Sequence, residues 1–148
     1  MKNKTRVYVA SPFFNDRERR LLDDIKKIMT DREEIELYFP MSYKVPNGED
    51  MPNHMWGLEV FQHDMEEIKK ADEVWVISHG MYGDTGTAWE CGFAYGIGKV
   101  VRVIYLDTTQ SLMMMNGCDD VYKLRETYDE LEGILLEASD DISDLIQK

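Results

Sequence analysis

Apolar residues along this chain switch between short β-branched runs and longer stretches at helical spacing. Val7-Tyr8-Val9-Ala10 is a short apolar run ended by Ser11-Pro12, which predicts a buried first strand leading into a loop. From Asp16 to Met29, Leu21, Leu22, Ile25, Ile28 and Met29 recur at helical intervals. Arg17, Glu18, Arg19, Asp23, Asp24, Lys26 and Lys27 mark the wet face of that helix, and Asn15 or Asp16 can cap its start. Glu36-Leu37-Tyr38-Phe39 predicts a second strand, stopped by Pro40.

Residues 40–56 carry Pro40, Pro46, Gly48 and Pro52 without a period, which predicts a long loop of the kind that often serves function. Gly57 to Ala71 is helical, with Leu58, Phe61, Met65, Ile68 and Ala71 on one face. Val74–Ile77 is the third strand. Gly80 to Gly86 is a glycine-rich turn into a helix over Thr87–Gly98, where Ala88, Gly92 and Gly96 form a ridge of small residues expected to lie close on a sheet. Val100–Leu106 is the clearest strand, and Thr108–Asn116 predicts a short Met-rich helix. Leu124, Tyr128, Leu131, Leu135, Ala138, Ile142 and Leu145, spaced by threes and fours, predict one long last helix.

Strands alternating with helices imply parallel pairing and right-handed crossovers, hence an α/β doubly wound sheet of about four or five strands with helices on both faces. Ligands of such sheets bind beyond the carboxyl ends of the strands. That rule selects Ser11–Phe14, residues 40–56, His79–Gly86 and Asp107–Asn116. No repeat or linker interrupts the order, and the 148 residues are expected to form a single domain.

The net charge of −12 disfavours nucleic acid and anionic membrane surfaces as partners. Two cysteines, Cys91 and Cys118, are too few for a disulfide framework or a Cys-rich zinc site, which fits a reducing cytoplasm. No apolar run approaches a signal h-region or a membrane span. The expectation is a soluble cytoplasmic protein.

Several familiar motifs fail. The first strand–helix turn, Ser11 to Asp16, has no glycine and so is no dinucleotide fingerprint. Phe93–Val100 lacks the first Gly and the final Ser/Thr of a P-loop. His54, His63 and His79 show no zinc spacing, and Asp140–Asp144 lacks the Gly and Glu of a calcium loop, so no metal site is expected.

The informative stretch surrounds the third strand. Asp84 stands on a glycine turn and Glu90 in the first turns of the next helix. Asp84 is a natural N-cap, and Thr87-Ala88-Trp89-Glu90 matches a capping box, so both acids have a purely structural explanation. Glu90 is also flanked by Trp89, Cys91 and Phe93, which points to a carboxylate at a partly apolar cleft. Such a group, with a second acid to donate a proton, can break a glycosidic bond through an oxocarbenium-like transition state. Amides of the helix N-terminus would help to keep Glu90 ionised. Asp64, after Phe61-Gln62-His63, is a further candidate acid.

These residues resemble the nucleoside 2-deoxyribosyltransferase family. Three stretches carry the resemblance: Val7-Tyr8 through Phe13-Phe14 to Arg17; Trp56 with Phe61-Gln62-His63-Asp64; and Asp84-x-Gly86-x-Ala88-x-Glu90-x-Gly92-x-Ala94 ending in Gly98-Lys99. The resemblance spans residues 7 to about 113, and the last motif is the most specific. It implies a flavodoxin-like fold and transfer of 2-deoxyribose between free nucleobases and 2′-deoxynucleosides without a cofactor. Glu90 would be the nucleophile at C1′, Asp64 the residue that handles the base and its proton, and Tyr8 the residue that orients the nucleophile. Asp84 would bind a sugar hydroxyl, a role compatible with capping. Phe13, Phe14, Trp56 and Gly86 fall in the implied substrate site. The family completes its site across a subunit interface, which implies a homo-oligomer. Here the neighbour's loop corresponds to Gln110–Met113, with Ser111 where well-known members place Asn, and Met113 beside the base. The chain also ends Gln147-Lys148 rather than on the tyrosine of some members.

Two rivals remain open from the sequence. A 2′-deoxynucleoside 5′-monophosphate N-hydrolase would use the same glutamate with water as acceptor, but such enzymes tend to place Ser where Asp84 stands. A carboxylate facing a phosphate at short range is unfavourable. Arg17, Arg19 and Arg20 would offset that cost if they pointed inward. The third reading is a nucleoside-binding protein of the same fold without turnover.

Overall fold

The structure, a computed structural model, describes residues 3–106, 109–124 and 128–146. Five parallel strands form one sheet in the order β2-β1-β3-β4-β5. The strands are β1 (Thr5–Ala10), β2 (Ile35–Tyr38), β3 (Glu73–Ser78), β4 (Val100–Leu106) and β5 (Asp120–Leu124). The helices are α1 (Asp16–Met29), α2 (Asn53–Lys70), α3 (Thr85–Gly96), α4 (Leu112–Asn116) and α5 (Tyr128–Ile146). The expected α/β architecture is therefore present, with five strands.

Alternation along each strand builds two cores. Val7 and Val9 of β1, Trp75 and Ile77 of β3, and Ile104 and Leu106 of β4 face α1 and α5, where Leu22, Ile25, Leu131 and Leu135 meet them. Tyr8 and Ala10, Val74 and Val76, and Val101 and Val103 face α2 and α3, against Met65, Ile68, Cys91 and Ala94. A parallel sheet covered on both faces requires strands apolar on both sides, as β3 is from Val74 to Ile77 in a strand buried at every position.

Local signals explain the helix ends. Asn15 accepts a hydrogen bond from the Glu18 amide at 2.9 Å, while Glu18 accepts from the Phe14 amide at 2.9 Å. Asp16 and Glu18 lie in the first turn of α1 and Lys26 and Lys27 in the last, matching the helix dipole. Helix α3 closes where Gly98 takes φ 84°, a left-handed conformation that lets the Lys99 amide reach the Ala94 carbonyl at 3.0 Å.

Four expectations are corrected. Residues 40–56 are not one loop: Pro40–Ser42 and Gly48–Asp50 are single 3-10 turns, and α2 begins at Asn53, not Gly57. Asn53, His54, Met55 and Trp56 are all exposed, so that first turn has no core period to read. Leu124 belongs to β5, not to the last helix. Its four-residue spacing to Tyr128 imitates a helix, and β5 is buried only at its end. The ridge of α3 that packs inward is Thr87, Cys91 and Ala94, not Ala88, Gly92 and Gly96. Gly92 and Gly96 face outward, where an added Cβ would meet nothing within 4 Å. The Met-rich helix starts at Leu112, and Asp107 and Thr108 lie outside the described residues. So do Gln147, Lys148 and the side chains of Tyr128, Ile142 and Leu145.

Among the described residues no helix is long and apolar enough to cross a membrane.

Candidate active site

The strand order reverses direction between β1 and β3, and functional groups gather at this switch point. Beside it a cleft of about 610 Å³ opens between the first turns of α2 and α3. Trp56, Gly57, Val60, Phe61, Asp64 and Met65 line it from α2, and Thr85, Gly86, Trp89 and Glu90 from α3. Its walls are largely apolar and include three aromatic rings, Trp56, Phe61 and Trp89. Phe61 meets Trp89 edge to face at 5.5 Å between ring centroids, and Trp89 stacks on Phe93 at 5.4 Å.

Tyr8 lies wholly buried beneath the cleft and donates its hydroxyl to Glu90 Oε2. Burial, followed by the charge of Glu90 and its hydrogen bond, holds the Tyr8 phenol far above its ordinary range, so Tyr8 stays a donor. Glu90 is pushed up to about 7, chiefly by burial, with Asp64 and Asp84 adding to the rise and the Tyr8 hydrogen bond opposing it. A buried carboxylate titrating near neutrality is suited to switching between charged and neutral states during a reaction.

Asp64 is pushed up to about 6, again mainly by burial, with His63 lowering it and Glu67 raising it. Its Oδ1 is buried with no hydrogen-bond partner among the described residues. A half-buried acid with an unused oxygen at the wall of a cleft is available to a ligand.

Asp84 caps α3: its Oδ2 accepts from the Thr87 amide at 2.7 Å and from the Thr87 hydroxyl at 2.9 Å. The capping box expected between Thr87 and Glu90 does not form, because the helix starts two residues earlier and Glu90 turns to Tyr8. Gly86 leaves room for the cap, since an added Cβ would lie 3.1 Å from Asp84 Oδ2 and the carboxylate would have to give by a few tenths of an ångström. Asp84 lines the small space at the carboxyl end of β3 with Pro12, Ser78 and His79 rather than the large cleft. Its charge still acts on Glu90.

The structure thus brings Tyr8, Trp56, Asp64, Gly86 and Glu90 together, with Asp84 alongside. Phe13 and Phe14 stack on each other at 4.9 Å; Phe13 packs toward the α1 and α5 core and Phe14 is exposed, so neither lines the cleft. Ser111 precedes α4 without making a capping bond, and Met113 is 83% exposed; neither lines the cleft either. Val60, Met65 and Thr85 escaped the sequence reading. The i, i+4 spacing from Trp56 through Val60 to Asp64 was the signal that could have found Val60.

Comparison with known proteins points the same way. A 2-deoxyribosyltransferase from the psychrotolerant bacterium Bacillus psychrosaccharolyticus is 30% identical, with 86% of this chain and 90% of that chain covered at a TM-score of 0.72. A conserved protein from Enterococcus faecalis (24% identity, 90% and 96% covered, TM-score 0.61) shares the fold. So does a CMP N-glycosidase from Clostridium botulinum (16% identity, 88% and 98% covered, TM-score 0.63). No curated protein matches the sequence. The sequence profile described as nucleoside 2-deoxyribosyltransferase matches residues 7–144, nearly the whole length, and the chain belongs to that family.

Proposed function

We propose that this protein transfers 2-deoxyribose between nucleobases through a covalent intermediate on Glu90. The observation that carries the reading is the buried Tyr8–Glu90 hydrogen bond at an aromatic cleft that also holds Asp64. Ionised Glu90 attacks C1′, the C1′–N bond breaks, and the electron pair leaves with the base nitrogen. Asp64, protonated, supplies the proton that the departing base takes up. An acceptor base then attacks C1′ from the vacated side, the ester to Glu90 breaks, and the acceptor's proton returns to Asp64. Two displacements give net retention. Water as acceptor gives slow hydrolysis. No step calls for a cofactor or metal.

Trp56, Phe61 and Trp89 offer flat faces for a base. Asp84 would bind a sugar hydroxyl through its second oxygen while capping α3. Free nucleosides suit the site better than monophosphates, because Asp84 lies close enough to Glu90 to raise its pKa and would repel a nearby phosphate. Arg19 does not offset this, being held by Asp16 at 2.8 Å and the Phe13 carbonyl at 3.2 Å. A neighbouring copy would supply Ser111 and Met113, which do not line their own chain's cleft. The exposed apolar side chains of Trp56, Leu58, Phe61 and Trp89 around the cleft mouth fit such an assembly.

Incubation with thymidine and free adenine should yield deoxyadenosine, and Glu90→Ala should abolish it. Transfer surviving in that variant removes Glu90 as the nucleophile. Deoxynucleoside monophosphates consumed faster than nucleosides would instead establish the hydrolase.

A further inference from the structure

Behind the site, one histidine joins two parts of the molecule that the chemistry needs together. Tyr8 of β1 is in register with Tyr38 of β2, on the same face of the sheet, and their rings stack at 5.6 Å. The Tyr38 hydroxyl and His63 Nε2 share a hydrogen bond of 2.8 Å. The imidazole face makes a further contact: Tyr43 lies on it at 3.5 Å between centroids and 5° between planes. Burial, reinforced by the charges of Asp64 and Glu67, raises the Tyr38 pKa, so its hydroxyl keeps its proton.

Tyr43 belongs to the segment between β2 and α2, and that segment touches α2 a second time. At Gly48 an added Cβ would come within 3.0 Å of Trp56 Cδ1. Trp56 and His63 are seven residues apart, two turns along one stripe of α2, so the segment lies along that stripe. Trp56 is a wall of the cleft, and Asp64 follows His63 directly. His63 is half-buried, and its Nε2 stands 4.0 Å from Glu67 Oε1.

We propose that His63 is a positioning residue for the reaction at Glu90. Its Nε2 fixes Tyr38 behind Tyr8 and so fixes the hydrogen bond to the nucleophile, while its ring face holds residues 40–51 against α2 and so fixes the wall at Trp56. The inference rests on the deoxyribosyl-transfer reading for its kinetic consequences, though not for its structural ones.

The two contacts can be removed separately. His63→Phe keeps a ring for Tyr43 and loses the bond to Tyr38; His63→Gln keeps a polar group for Tyr38 and loses the stack. With thymidine and adenine as substrates, His63→Phe should lower kcat about three- to tenfold, the range of one hydrogen bond, with KM held within about twofold. Tyr38→Phe should do the same, and the double variant should be no slower than either single one. His63→Gln should keep kcat within about twofold and raise the KM for nucleoside about three- to tenfold. Amide exchange across residues 40–51 should speed up in His63→Gln and not in His63→Phe. Losses that multiply in the double variant, two His63 variants with the same profile, or activity that merely follows Tm would overturn the proposal. Exchange is measured whether or not the protein turns over nucleosides. An inactive wild type therefore sinks the transferase reading, whereas unchanged exchange in His63→Gln sinks the role of His63.

Discussion

Tyr8 of β1 and Glu90 of α3, 82 residues later, meet through a hydrogen bond from phenol to carboxylate. The pair spans the point where the sheet reverses its strand order, with Tyr8 from β1 and Glu90 from the helix after β3. The hydrogen bond lowers the pKa of Glu90 while burial raises it.

Tyr8→Phe keeps the buried ring and removes the hydrogen bond that lowers the Glu90 pKa. At pH near 6.5 its kcat/KM should fall about tenfold, and the acid limb of its pH profile should move to higher pH. A profile superimposable on the wild type would show that the phenol does not govern Glu90.

The proposed transfer requires Glu90 ionised and Asp64 protonated. Glu90 gains its charge as pH rises through about 7, whereas Asp64 loses its proton as pH rises through about 6. The required states are thus the minority forms of both groups, and activity should follow a narrow bell peaking between the two values, which belong to the coupled pair. Asp64→Asn should flatten the alkaline limb of kcat/KM and spare the acid limb. A broad plateau above pH 8 would contradict this assignment of roles.

Glu90 also lowers the stability of the fold. Its folded pKa lies above the ordinary carboxylate value, so between that value and about 7 the folded chain holds a proton that the unfolded chain has released. Stability from this group therefore falls as pH rises through that window. Glu90→Gln should be more stable than the wild type by about 1–3 kcal/mol at pH 8 and should lose that advantage at pH 4. Denaturant unfolding at the two pH values tests this, and an equal difference at both would rule it out.

Asp84 caps α3 and, in the proposed reaction, also binds a sugar hydroxyl; one substitution separates the two. Serine can replace the carboxylate as the N-cap, so Asp84→Ser should keep Tm within a few degrees. Nucleoside transfer should nevertheless weaken, by about tenfold or more if a charged acceptor for the sugar hydroxyl is lost. An unchanged rate would leave Asp84 as a cap alone.

Much of this was legible in the sequence because burial imposes a period. Helix α1 has the predicted bounds of Asp16 and Met29, and β4 those of Val100 and Leu106, since each sets apolar residues against a core. Strand β5 was not legible, because only Leu124 is buried in it and that residue falls in step with the following helix. The first turn of α2 escaped for the opposite reason, having no buried residue to mark it. At the site, the Asp84–Glu90 motif could be read because its members are close in sequence. The contacts of His63 with Tyr38 and Tyr43 could not, since they depend on how β2 and the segment after it lie against α2.

The ends of the sheet constrain how copies of this chain can meet. Strand β2 has four residues and carries exposed Glu36; β5 exposes Asp120 and Lys123. Short, charged border strands resist the addition of another strand, since joining them would bury charge along the new ladder. Growth of the sheet from one subunit into the next is therefore disfavoured. Contacts through the helical layers carry no such penalty, and the bare backbone at Gly92 and Gly96 on α3 leaves room there for a partner's surface to approach closely.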